Sequence, residues 1–542
     1  MSNSRDIADS AATINYIDGL TSDAQTQIDT KAVYPTQAGN AGKYLSTDGT
    51  NASWGEVQAS PTHQATASGA ISDGDKIIVN SDGTVSTIVQ TIDSTTPSIG
   101  DSEIFYPNVQ TIGSTPVYDT NSNKLVVFYA RANKVQAVVA TITDGVISYG
   151  SEVQVSTANV FSNYLNAAFS TTDNVFCVVF NNSATNGATA VICEVNGDTL
   201  TIGSEAALGT TQHNYDVGPA VVYDANTDSF CAFVTDTSNS GYGTLRQIFI
   251  TTGLNFNYGN AVVFSSVNSA RQIAASVDTT SNKVLVAYQK NNVGRGACKV
   301  CTPSNSTAIN AAFGSEVDFN GSSNAELIVC VYDSNANKSV IYFWDASNQY
   351  PTAIVGTISG TSVSFGTKVV IQSTRTNFNA AAFDSDQNKI AFIYSDSFDG
   401  YYGKMSVGTV NGTTIDSITT PITFESKNVQ QQRATYDPDS QTVPVAYFYN
   451  EAVDDGVTTL LRTYTPETTL TSSNYIGIAD ASYIDGETVN VQISGSVDDA
   501  QTGLTAGITY YVTGNNGLST VPQNPSVVAG TAVSSTQIIV KG

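Results

Sequence analysis

One phrase returns seven times along this 542-residue chain. Its first clear copy reads Tyr118-Asp119-Thr120-Asn121-Ser122-Asn123-Lys124-Leu125-Val126-Val127-Phe128-Tyr129, and later copies begin at Phe169, Tyr223, Val277, Tyr332, Phe383 and Tyr436. Successive copies stand 51, 54, 54, 55, 51 and 53 residues apart. A near-constant period of this length means that one supersecondary unit is stacked on copies of itself, because a single unit cannot bury its apolar face alone.

Each unit reads as four strands. Thr115-Pro116-Val117-Tyr118 leads into Asp119, a polar stretch follows, and an apolar run begins at Leu125. Extended runs joined by Asp, Asn and Ser make a hairpin, since these side chains bond nearby backbone and tolerate turn conformations. Asp recurs here as Asp119, Asp224, Asp278, Asp333, Asp384 and Asp437, with Ser170 in the second copy. The second run is apolar almost throughout, as in Val284-Leu285-Val286-Ala287-Tyr288, so it needs cover on both faces. A third strand follows, for example Val135-Gln136-Ala137-Val138-Val139-Ala140. The fourth carries Tyr149-Gly150-Ser151-Glu152, echoed around Gly203, Gly259, Gly314 and Gly366, where Gly marks a bulge or a close backbone approach. Ile418 replaces that Gly in the sixth copy, which predicts an irregular outer strand.

Four strands per unit and seven units give an all-β chain with a seven-bladed β-propeller over residues 100–470. The ends suggest how the ring closes. The copy from Tyr436 never reaches a Gly-Ser-Glu strand, while an orphan Gly100-Asp101-Ser102-Glu103-Ile104-Phe105 precedes the first copy, 50 residues before Gly150. A strand at 100–106 is therefore expected to pair with the last blade and remove an exposed sheet edge.

Composition excludes several classes. Lys plus Arg number 22 against 47 Asp plus Glu, a net charge of −25, which repels nucleic acid and anionic lipid at long range. No apolar run is long enough for a membrane span and no signal-peptide core is present, so neither nucleic acid nor membrane insertion is expected. The six Cys, at 177, 193, 231, 298, 301 and 330, lack a framework spacing. Cys298 and Cys301 form one CxxC on a strand, where residues three apart face opposite ways, against a metal or redox role.

The flanks read differently. In residues 14–31, Ile17, Leu20, Ala24 and Ile28 share one helix face, with Thr21-Ser22-Asp23 as a cap. Such a helix is too short to stand alone; it would join a bundle of like chains or dock on a larger assembly, and a frayed tail is the alternative. Asp48-Gly49 signals a hairpin beside Trp54, a further strand pair surrounds Asp82-Gly83, and Thr488-Val489-Asn490-Val491-Gln492-Ile493-Ser494 alternates as a half-buried strand. The expected division is a connector at 1–60 (short helix plus β), a small β segment at 61–99, the propeller at 100–470, and a small β-barrel-like module at 471–542.

The ends also carry a resemblance. Ile7-Ala8-Asp9-Ser10-Ala11-Ala12-Thr13-Ile14-Asn15, Asp18-Gly19-Leu20 and Gln25-Thr26-Gln27-Ile28-Asp29-Thr30-Lys31-Ala32 resemble tail-fibre-like proteins of phages that infect marine cyanobacteria and related bacteria. Gly42-Lys43-Tyr44-Leu45-Ser46-Thr47-Asp48-Gly49-Thr50 to Trp54 is similar to a stretch common in phage fibres. Gly503-Leu504-Thr505-Ala506-Gly507-Ile508-Thr509-Tyr510-Tyr511-Val512, with Gly517-Leu518-Ser519-Thr520 and Pro525-Ser526-Val527-Val528-Ala529-Gly530-Thr531-Ala532-Val533-Ser534, looks like a module of such virion proteins. The resemblance implies a virion structural protein, in a tail or head fibre or appendage. It implies other virion proteins as partners through the N-terminal segment, a homo-oligomer (a trimer among the forms considered), and a host-surface glycan or protein as target.

No catalytic, cofactor-binding or metal-binding residue is assigned, and no cofactor is expected. Neither His63 nor His213 stands in a nucleophile motif, Asp454-Asp455 reads as a solvated turn, and the recurring Asp residues read as turn formers. Host recognition by a non-enzyme is the leading expectation. A glycan-degrading propeller enzyme and a purely structural decoration are the alternatives.

Overall fold

The computed structural model describes residues 39–40, 43–47, 52–55, 61–107, 112–211, 218–266, 270–290, 293–449 and 455–541. Residues 14–31, Asp48-Gly49, His213 and Asp454 lie outside them. Apart from one 3-10 turn, Thr237–Asn239, the regular structure among the described residues is all β. The chain divides into two compact units, Thr91–Glu467 and the paired segments Met1–Gln90 and Thr468–Gly542.

Within Thr91–Glu467 the repeat becomes a succession of antiparallel sheets with strands in chain order. In one of them Ala325–Asp333, Lys338–Asp345, Tyr350–Ser359 and Ser362–Phe365 lie side by side, and Val369–Val370 resumes the outer edge. The innermost strands are Ile112–Asp119, Val160–Ser170, Ala220–Asp224, Ala270–Asp278, Ala325–Asp333, Thr376–Asp384 and Val429–Ala434. Each touches the next, and the last touches the first, which makes the unit a β-propeller. Side chains of one sheet satisfy the inner strand of the next: Thr235 Oγ1 donates to Ala270 O at 2.5 Å, Gln289 Nε2 to Ala325 O at 3.0 Å and Ser395 Oγ to Val429 O at 2.7 Å.

The recurring phrase makes the inner hairpin. Each Asp carboxylate accepts the backbone N–H two residues on, from Asp119 and Asn121 at 2.8 Å to Asp224 and Asn226 at 3.3 Å. Ser170 Oγ accepts only the N–H of Asp173, at 3.0 Å. The turn then needs one left-handed residue, supplied in phase by Asn123, Asn174, Asp228, Asn282, Asn337, Asn388 and Gln441, with φ between 49° and 59°. Asn and Asp enter this region most readily among residues with a Cβ. Tyr223 and Tyr332, each just before a turn Asp, tie neighbouring turns together: Tyr223 Oη donates to Thr172 Oγ1 at 2.7 Å and Tyr332 Oη to Thr280 Oγ1 at 2.8 Å. Tyr118 Oη donates to Asp439, joining the first sheet to the last.

The outer glycines are close approaches. A Cβ on Gly150, Gly314 or Gly366 would lie 1.8 Å from the carbonyl oxygen of Asp198, Thr361 or Thr413, each in the outer hairpin of the following sheet. The Glu two residues after the Gly is used inward, accepting from buried Tyr129 (Glu152, 2.6 Å) and Tyr288 (Glu316, 2.5 Å). In the sixth copy the outer strand is Thr414–Asp416, no shorter than Phe256–Tyr258 or Ala312–Phe313, and Ser417 turns left-handed at φ 53°.

Ser98–Tyr106 pairs antiparallel with Gly456–Arg462 and is the outer strand of the sheet that begins at Val429. Its Phe105 ring covers Gly456 just as Phe264, Phe319 and Phe424 cover Gly243, Gly296 and Gly403; a Cβ on any of these glycines would come within 2.5 Å of the ring. Rings from adjacent sheets also meet between the sheets, as Phe128 and Phe176 do at 5.5 Å between centroids. Cys298 packs with Leu285 and Phe343, Cys301 with Cys231 and Phe233, so the CxxC thiols face different cores. Burial pushes both thiols well above their ordinary value.

In the other unit, Tyr44–Thr47 pairs with Ala52–Gly55, with Leu45 opposite Trp54. The remaining strands correct the expected domain division. Residues 61–90 do not stand apart from the C-terminal segment. Thr62–Thr66, Thr488–Gln492, Tyr475–Ala479, Lys76–Val79 and Val85–Thr87 form one five-stranded sheet in that order. Ala67, Ile71, Ile77 and Val85 share one core with Ala479, Val489 and Val491. A second sheet orders Val497–Asp498, Ile538–Val540, Val528–Ala532, Thr509–Val512 and Leu518–Ser519. The two sheets share a core of Ile78, Tyr475, Ile478, Tyr510, Val512 and Val540, an arrangement of two open sheets in place of a single barrel-like module. Residues 91–99 belong to the propeller unit.

Candidate functional site

The inner strands of the propeller share a second repeated irregularity. Their pairing slips between Ile112 and Ser114, Val160 and Leu165, Arg271 and Ala274, Glu326 and Val329, Asn377 and Asn379, and Gln430 and Arg433. At five of these bulges the extra residue is left-handed: Gly113 at φ 75°, Gln272 at 48°, Leu327 at 53°, Phe378 at 50° and Gln431 at 53°. The last four are not glycines, and Leu and Phe have no side-chain chemistry that favours this region. Each costs about 1–2 kcal/mol. A bulge bends its strand and re-aims the side chains that follow it. Here the bends recur in phase with the repeat, and a cavity of about 410 Å³ opens among the inner strands.

Backbone groups freed by the bulges are caught by neighbours. Leu327 N–H donates to Gln272 Oε1 and Gln432 Nε2 donates to Phe378 O; away from the bulges, Pro219 O accepts from Asn166 Nδ2 at 3.4 Å. Apolar wall comes from Leu165, Ile273, Ile328 and Val329, and polar wall from Asn166, Gln272, Asn379, Gln431 and Arg433.

Two of these groups stand out by what they lack. Arg433 Nη1 donates to Gln432 O at 3.3 Å, and among the described residues the guanidinium has no carboxylate partner. It is ringed by protein yet reached by solvent through the cavity, and burial lowers its pKa from the ordinary value, with no counter-charge to offset the effect. It stays protonated at neutral pH. Asn379 is 2% exposed; its Oδ1 accepts from Thr376 Oγ1 at 3.2 Å, while its Nδ2 is buried without an acceptor. A buried donor left unmade costs about 1–3 kcal/mol. No Asp or Glu lines the cavity among the described residues, in a chain with 47 of them. The one titratable neighbour, the Cys330 thiol, is pushed up to about 12 by burial and stays protonated. The site can therefore donate hydrogen bonds to an anion or a carbonyl, and it holds no group poised to move a proton near neutral pH.

The residues weighed in the sequence lie elsewhere. His63 is exposed on Thr62–Thr66 opposite Val491, and the recurring Asp residues are occupied in their turns. Among the described residues no three His, Cys, Asp or Glu side chains gather as a metal site would need. The sequence reading missed Arg433 and Asn379, although the repeat holds the signal. The position of Arg433 is Thr115, Asn166, Ala220, Ala274, Val329 and Ala380 in the other copies, so Arg433 is the one charged residue in that column.

No protein-family description matches the chain, and no curated protein matches it either. Solved structures resemble it in fold. The β-propeller domain of Cps50 (Swd1) from Myceliophteria thermophila covers 66% of this chain and is itself covered to 99%, at 9% identity and a TM-score of 0.42. AofleA from Arthrobotrys oligospora covers 64% and is covered to 93%, at 8% identity and a TM-score of 0.40. The Dos1 propeller covers 68% and is covered to 96%, at 10% identity and a TM-score of 0.39. Likeness at this level assigns no activity.

Proposed function

We propose that this chain is a phage virion structural protein, a fibre or appendage whose seven-bladed propeller binds the host surface. The seven copies of the repeat, with Ser98–Tyr106 completing the last sheet, support this blade number. The virion role follows from the resemblance at both ends, and partners on the particle are assigned to the N-terminal segment for the same reason. The observation that most favours binding over catalysis is the cavity: one unpaired guanidinium and a buried unpaired amide donor, with no carboxylate in its wall. A rigid scaffold whose cavity wall carries a guanidinium with no carboxylate partner suits a ligand that supplies one. Weak sites of this kind gain about 10²–10⁴ in avidity when several copies act together.

Two measurements test the proposal. Cryo-electron microscopy of whole particles locates the chain: density in an outward-facing fibre is expected, and density buried in the capsid lattice would remove the recognition role. Pull-down of purified host envelope polysaccharide by the assembled oligomer is expected to succeed without release of reducing ends. Release of reducing ends would instead mark a depolymerase.

A further inference from the structure

We infer that the cavity among the inner strands is a binding site for the carboxylate of an acidic sugar, held by Arg433 and Asn379. The inference rests on the binding role proposed above and names its ligand chemistry.

The charge of the ligand follows from the wall. A guanidinium presents a planar fork that matches a carboxylate in two parallel hydrogen bonds. Arg433 is spent on no such partner among the described residues, and Asn379 Nδ2 lies buried behind the same wall without an acceptor. One cation without help suits a singly charged anion. A phosphate dianion would call for a second positive group, and Arg433 is the only Lys or Arg in the described wall. The net charge of −25 also disfavours multiply charged ligands at long range.

The rest of the ligand follows from size and chemistry. At about 410 Å³ the cavity is far larger than a single small anion and falls within the usual span of about 300–1,000 Å³ for ligand pockets. Gln272 and Gln431 offer amides, which pair with hydroxyls as donor or acceptor, while Ile273, Leu327 and Phe378 give apolar surface for the C–H face of a ring. A hydroxyl-rich ring carrying one carboxylate meets all three features. The bulged strands bring left-handed Leu327 and Phe378 into this wall, each at a cost in backbone strain.

The test is isothermal titration of the full chain with D-glucuronate, D-glucose, acetate and inorganic phosphate, repeated with Arg433→Gln, Arg433→Lys and Asn379→Asp. Saturable glucuronate binding is expected, with glucose and acetate at least about tenfold weaker. Arg433→Gln should weaken glucuronate about 10- to 100-fold, Arg433→Lys less, and Asn379→Asp by a like amount through an added negative charge. Thermal melts of each variant separate lost binding from lost folding. Absence of glucuronate binding, or binding unchanged in a folded Arg433→Gln protein, would overturn the assignment. Phosphate binding as tightly as glucuronate would overturn the sugar and leave only an anion site. Host polysaccharide binding that survives Arg433→Gln would overturn this cavity as the receptor site while the host-recognition role stands.

Discussion

The hairpin turns of the propeller and its innermost strands obey the same period and use it in opposite ways. At the turns the copies agree in residue and in role: an Asp or Ser accepts a backbone N–H, and a left-handed Asn, Asp or Gln follows. On the inner strands the copies agree in backbone alone. The bulge recurs, yet the residue at its left-handed position is Gly113, Gln272, Leu327, Phe378 or Gln431, and two steps on it ranges from Ala220 to Arg433. Agreement of residue marks what the fold needs. A shared geometry filled by unlike side chains marks where the fold leaves a choice, and there Arg433 sits without a carboxylate partner and Asn379 Nδ2 without an acceptor among the described residues.

Experiments can press on that contrast, beginning with the ring itself. Deleting residues 98–106 strips the sheet of Val443–Tyr449 of its outer strand and takes Phe105 from its core. Loss of cooperative melting and of a monodisperse species is expected; an unchanged calorimetric transition would show that closure contributes nothing. Alkaline pH comes next. Tyr129, Tyr288, Tyr342, Tyr394 and Tyr447 are fully buried, and burial raises each phenol above its ordinary value of 10.0. The unfolded chain then loses these protons first, so stability is full below pH 10 and falls as pH rises toward the folded values. The slope is about 1.4 kcal/mol per pH unit for each group, about 7 for the five, so chemical denaturation midpoints should drop steeply above pH 10. A flat profile to pH 11 would refute that burial.

Smaller effects separate turns, outer strands and inner strands. Gly314→Ala drives a Cβ to 1.8 Å from Thr361 O and should cost about 2–3 kcal/mol, whereas Gly259→Ala, 3.7 Å from Thr307 O, should stay within about 0.5 kcal/mol. Equal losses would mean that the glycines serve flexibility and not contact. Asp333→Ala removes acceptors for Asn335 N–H at 2.9 Å and Ala336 N–H at 2.8 Å and should cost about 1–2 kcal/mol by urea titration. Arg433→Gln is expected to leave stability within about 0.5 kcal/mol, since the solvent-reached guanidinium has no carboxylate partner to lose. A loss like that of Asp333→Ala would make Arg433 a structural residue.

How far the sequence speaks depends on whether a feature repeats. The hairpin Asp residues, the apolar second strands and the closing strand around Gly100 to Phe105 were legible because seven copies could be compared in phase. The sheet that joins Thr62–Thr66 to Thr488–Gln492 was not, since its partners lie some 426 residues apart, as Gln64 and Asn490 do, and occur once. The inner bulges were hidden for another reason. Left-handed Leu327 and Phe378 violate the preference that sequence reading relies on, and only the packing of adjacent inner strands imposes them. Arg433 stood in plain view in its column, but a lone basic residue gains meaning only once its neighbours are known to offer no acid.

The closing strand also sets a timetable. Ser102 must wait for Thr459, 357 residues downstream, before its hydroxyl finds the bond it makes in the finished sheet. At ribosomal speeds of about 5–20 residues per second, that is a delay of roughly 20–70 seconds in which the first strand has left the tunnel and has no mate. Only a chain translated past Arg462 can seal itself. A message cut short upstream would leave an unsealed sheet edge for chaperones and proteases to find, so the ring certifies its own completeness before any copy is offered for assembly.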